Sequence, residues 1–181
     1  VLAYVAFDAL MLVGITFGPA PLRTVGLLLG PAVVPMPSER QLIRMLDDRS
    51  DWVRENAVLQ IRMRGLRGTC GALVRHMGRE VSSDVLVEMD EALSCCGTRA
   101  QVPALVTIAL DRGGPGTASR YARHALAHLT RSQELRVFLE DDLIYDLGHG
   151  PNWPPPTDGE RRAMIRKWWA AHRGEYENDG H

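Results

Sequence analysis

The sequence predicts an all-α fold, a short α-solenoid of two to three helical hairpins, and three observations predict it. Apolar residues recur four apart in short runs, as in Val53, Ala57 and Ile61 or Tyr121, Ala125 and Leu129, which sets them on one face of a helix. Clusters of Asp, Gly and Pro separate those runs, as turns require. Finally, Ala57, Ala92 and Ala125 fall 35 and 33 residues apart. Helix pairs with a period in the thirties to forties mark a stack in which each hairpin buries its face only against its neighbours.

At 181 residues the chain is long enough for one well-buried domain with a segment to spare. The formal net charge is -1, so no global basic field recruits nucleic acid. Cys70, Cys95 and Cys96 make a poor disulfide framework, an odd count with two members adjacent, and read as small buried helix residues.

Three segments follow from the charge distribution. Residues 1–37 are apolar, with Asp8 and Arg23 the two charges before Met36. Val1–Gly18, about 27 Å long as a helix, is just long enough to cross a bilayer core. Val1, Leu2, Phe7, Leu10, Leu12, Ile15 and Phe17 are its candidate membrane residues, and Asp8 is the costly one. Gly18-Pro19-Ala20-Pro21 breaks it. A membrane anchor or membrane-lying hairpin, a signal peptide and a buried helix covering the end of the stack all fit this composition. Arg23, Arg40 and Arg44 follow the run, which places the helical domain on the cytoplasmic side if it spans; a periplasmic domain is the alternative.

Residues 38–131 carry the hairpins. Ser38 and Gln41 form a capping-box pattern ahead of Leu42, Ile43 and Leu46. Asp47–Asp51 makes a turn, Trp52–Arg64 a helix, and Gly65 closes it. Val85–Cys96, Val102–Leu110 and Thr117–Thr130 are the further helices, with a glycine-rich turn at Asp111–Gly116.

The stretch Leu46-Asp47-Asp48-Arg49-Ser50-Asp51-Trp52-Val53-Arg54-Glu55-Asn56-Ala57 resembles the turn and second-helix start of a HEAT repeat: a short apolar helix, an Asp-rich turn, then Val-Arg-x-x-Ala. Gln101–Leu129 is similar but looser, with Arg123 displaced by one position. The middle unit departs furthest, with Glu88 where Val53 and Tyr121 sit. The resemblance covers about Ser38–Arg131. It implies a HEAT-like fold and a scaffold or adaptor role, and it assigns no activity.

Residues 132–181 depart from the repeat. Leu135–Leu147 is amphipathic, and a proline-rich stretch leads to Thr157-Asp158-Gly159-Glu160, a capping box opening a helix through Arg173. Met164, Ile165, Trp168 and Trp169 lie toward one side of it, with Arg161, Arg162, Arg166, Lys167 and Arg173 supplying the charge. This Trp-rich ending is similar to the closing helix of many bacterial HEAT-like proteins. It reads as a cap sealing the last repeat with Trp168, with a basic amphipathic surface for an acidic partner or anionic lipid as the alternative.

Catalytic signatures are missing from the sequence. His124 and His128 have the i, i+4 spacing of two metal ligands, but Ala125 stands where a metalloprotease helix carries Glu. Gly113–Gly116 has neither the Walker lysine nor dinucleotide-fold spacing. Glu140-Asp141-Asp142 has no recognisable acid/base companion, and no nucleophile elbow occurs. No cofactor, metal or small-molecule substrate is expected. The chain reads as a non-catalytic scaffold or accessory subunit of a membrane-associated multi-protein complex, of which a bioenergetic assembly is one version, with protein subunits and the membrane as partners. Trp52, Arg54, Arg162, Arg166, Trp168 and Trp169 are the candidate contact residues. A HEAT-like enzyme such as a chromophore lyase, and a soluble adaptor, are the other classes.

Overall fold

A computed structural model describes residues 36–111, 116–139 and 156–177, and every regular element among them is helical. In chain order these are α1 (Glu39–Met45), α2 (Asp51–Arg64), α3 (Cys70–Met77), α4 (Ser83–Cys96), α5 (Val102–Leu110), α6 (Gly116–Thr130), α7 (Gln133–Leu139) and α8 (Asp158–Glu177), with 3₁₀ turns at Arg67–Thr69 and Arg99–Gln101. Local chemistry sets three of the helix ends. The Gln41 amide donates to Ser38 Oγ and the Ser38 amide to Gln41 Oε1, completing the capping box of α1. Thr157 and Glu160 do the same for α8. Gly65 ends α2 in the left-handed region at φ 59°, where a side chain would be strained.

Consecutive helices pair as α1 with α2, α3 with α4, and α5 with α6. The second helices also touch one another, α2 on α4 and α4 on α6. Ion pairs fix their relative direction. Arg54 and Arg62, eight residues apart on α2, meet Glu80 and Glu88, also eight apart, so α2 and α4 run the same way. Arg62 also pairs with Glu91. On the other side α3 contacts α5, and α5 packs against α8, which also touches α7.

The core is one continuous cluster. Ala57, Ala92 and Ala125 are fully buried, one each on α2, α4 and α6. Small side chains there let helix axes approach closely. Gly97 extends that closeness at the end of α4: a Cβ on it would stand 2.9 Å from Leu129 Cδ2 of α6. Enlarging the middle alanine, Ala92→Leu, should therefore cost about 2 kcal/mol through overpacking. The same change at exposed Ala104 on α5 should fall within about 0.5 kcal/mol of wild type. Urea midpoints of the two variants check this contrast.

Several sequence expectations need correcting. The sequence sets no bounds for the helix that carries Cys70, and it is α3, Cys70–Met77. Of the three cysteines, Cys70 and Cys96 are buried as expected but Cys95 is exposed. Arg161, assigned to the charged face of the last helix, lies on its buried face with Ile165, Trp168 and Tyr176. That helix runs to Glu177, one turn past Arg173. Leu135–Leu147 is described only as far as Leu139; the remainder, Glu140–Asp142, the Gly113–Gly116 run up to Pro115, and the whole of Val1–Pro35 lie outside the described residues.

Candidate interaction surface

The six candidate contact residues divide by burial. Trp52, at the start of α2, is 39% exposed, because Ala57, Val58 and Ile61 take the inner face. Arg166 is exposed on α8. Arg162 reaches back one turn to Asp158, 3.5 Å away. Trp169 is half-buried and borders an open, apolar groove of about 500 Å³ formed with Gly78, Val106, Ile108, Leu110 and Asp111.

Arg54 and Trp168 are internal instead. Arg54 donates through Nε and Nη2 to the two carboxylate oxygens of Glu80, at 2.7 and 2.9 Å. Its Nη1 donates to the carbonyls of Asp48 and Arg49. One side chain thus joins the α1–α2 turn to the α3–α4 turn. Burial pushes the Glu80 carboxyl up, but Arg54 and the amides of Ser82 and Val81 outweigh it and hold the group below the usual carboxylate range. Trp168 is 3% exposed and stacks on His172 at 5.0 Å between ring centroids, so its indole is core and not contact surface.

An acid–imidazole pair is formed by Asp90 with His124. Nearly buried Asp90 on α4 places Oδ2 2.5 Å from His124 Nδ1 on α6. His128, one turn further along, packs edge-on against His124 at 4.6 Å. The sequence spacing found the two histidines but not the carboxylate 34 residues away, which only the α4–α6 contact supplies. The pair ties two helices together across the layer. Among the described residues, no group of three or more His, Cys, Asp or Glu side chains could hold a metal ion.

A third histidine, His76, is buried between charged groups. His76 is 7% exposed, with Arg79 Nη2 2.9 Å from its Nδ1 and Asp47 3.6 Å from its Nε2. Burial, then the charge of Arg79, hold its pKa below the ordinary imidazole value. The unfolded chain therefore binds the extra proton first as pH falls. The stability His76 permits is complete above about pH 6.5 and declines as pH drops through the lower folded value. His76→Gln should flatten the difference between urea midpoints at pH 7.5 and 5.5.

The membrane candidates Val1, Leu2, Phe7, Leu10, Leu12, Ile15 and Phe17 lie outside the described residues. Among the described residues, no helix is long and apolar enough to cross a membrane. Comparison of the chain with protein-family models, with curated proteins and with solved structures finds no match.

Proposed function

We propose that the chain is a HEAT-like helical scaffold, an accessory subunit that holds parts of a membrane-associated protein complex together. The observation that carries the reading is the recurrence of one buried small residue, Ala57, Ala92 and Ala125, on three successive second helices that contact in order. Such a stack presents an extended surface and has open ends that neighbouring elements cover. In this reading α8 caps the last hairpin through Ile165 and Trp168. The apolar run Val1–Gly18 tethers the stack to the bilayer, with the helical body on the cytoplasmic side, and Trp52 and Trp169 are the contact aromatics.

The reading is tested in the native host. A photo-crosslinking residue at position 52 or 169 should join the protein to defined membrane-complex subunits. The same residue at exposed Ala104 should not. The protein should also stay with membranes through a carbonate wash, and exposed Cys95 should react with an impermeant maleimide in inverted vesicles but not in intact cells. Complete release by carbonate would overturn the tether; equal adducts at all three positions would overturn the contact surface.

A further inference from the structure

Cys70 is the first residue of α3 and Cys96 the last of α4. The two helices are joined at their other ends by the turn through Gly78–Ser82, so the thiols meet across the open end of this hairpin. Their sulfurs are 3.0 Å apart, about 1 Å longer than an S–S bond. Both residues are buried, at 0 and 2% exposure, while the adjacent Cys95 faces solvent. Cys70 Sγ also lies 3.2 Å from the carbonyl oxygen of Cys96.

From this geometry we infer that Cys70 and Cys96 are a redox pair, closing to a reversible disulfide that locks the middle hairpin and leaves Cys95 free. The oxidant is a small disulfide such as glutathione disulfide. Cys96, as thiolate, attacks one sulfur of that disulfide and expels the first small thiolate. Cys70 then gives up its proton, and its sulfur attacks Cys96 Sγ in the mixed disulfide and expels the second. The protein loses two hydrogens; one disulfide is reduced to two thiols, which carry the two protons.

The surroundings fit this order of attack. With the Cys70 thiol as donor of the shared contact, one of its two possible directions, the Cys96 thiol lies below its ordinary range, Arg67 acting the same way, and the Cys70 thiol lies above its own. Access for the reagent requires the last turn of α4, beside exposed Cys95, to open transiently. Closing the bond restricts the unfolded chain across a 26-residue separation. It should raise the melting temperature by about 10 °C, acting on the helix pair against which α2 and α6 both rest.

The test uses the whole chain, equilibrated with glutathione disulfide under native conditions, quenched with an alkylating reagent and digested without reduction. The expected product is a Cys70–Cys96 cross-linked peptide with Cys95 alkylated, a raised melting temperature, and return of both to the starting state on addition of dithiothreitol. Cys70→Ala and Cys96→Ala should abolish the shift, and Cys95→Ser should keep it. If either alanine variant fails to fold, the peptide map of the wild-type chain still decides. Glutathione held only on Cys95, a bridge involving Cys95, or a Cys70–Cys96 bridge that leaves the melting temperature unchanged would each overturn the proposal.

Discussion

An Arg54→Ala protein should lose about 4 kcal/mol of unfolding free energy at neutral pH, because the substitution leaves the carboxylate of Glu80 buried without its counter-charge. The Glu80 side chain is 5% exposed and that of Arg54 14%, so water replaces little of what is removed. The Val81 and Ser82 amides still donate to Oε1, but Oε2 loses the Arg54 Nε bond. The carbonyls of Asp48 and Arg49 lose their guanidinium partner at the same time. Arg54→Lys should recover less than half of the loss, since an ammonium cannot match a two-oxygen acceptor and two carbonyls at once.

The sign of the pH dependence separates this account from simple loss of packing. In the wild type the folded pKa of Glu80 lies below its unfolded value. Its contribution is therefore complete above the ordinary carboxylate range, and it is lost as pH falls through the folded value. Without Arg54 only the Ser82 and Val81 amides oppose burial, so the folded pKa rises from its wild-type position and this site supplies less pH-dependent stability. The gap between wild type and Arg54→Ala should narrow as pH falls from 7 toward about 3.5. Urea titrations at several pH values check it; a gap independent of pH would show that Arg54 matters only for its packing.

How much of this was legible in the sequence depends on whether the signal was local. The capping boxes at Ser38 and Thr157 involve residues three apart, and α5 came out with its observed ends because Pro103 and Asp111 bracket it. Helix α3 gave no such signal. It is only eight residues long, about two turns, and Thr69 before it makes no side-chain cap bond, so nothing local marks where it starts. The thiol pair was hidden for a related reason: adjacency drew attention to Cys95 and Cys96, whereas the close contact is with Cys70, across a hairpin whose first helix had no bounds. Arg54 looked like a surface group because its partner lies 26 residues on. A charge in a helix reads as solvated until the fold brings its counter-ion.

Trp168 and Trp169 pose the same problem at closest range. Neighbours on a helix point about 100° apart; the cap reading turns Trp168 inward, although the apolar pattern sets both rings toward one side. The fold decides by what α8 lies on. Arg161, Ile165, Trp168 and Tyr176 form its buried line, packed toward α5 and α7, while Trp169 turns to the groove with Ile108 and Leu110. Trp168→Ala should accordingly cost about 4 kcal/mol, in the range for emptying a large buried aromatic site, and lower the melting temperature by about 10 °C. The loss includes its stacking on His172 and its contact with Tyr176, whose ring centroid is 5.7 Å away. Trp169→Ala should cost about 1 kcal/mol, since part of its ring already meets water. Chemical denaturation of both variants, with near-ultraviolet circular dichroism to follow the remaining aromatics, sets the two side by side. Equal losses would mean that α8 buries both rings, and the groove beside Trp169 would then belong to the core.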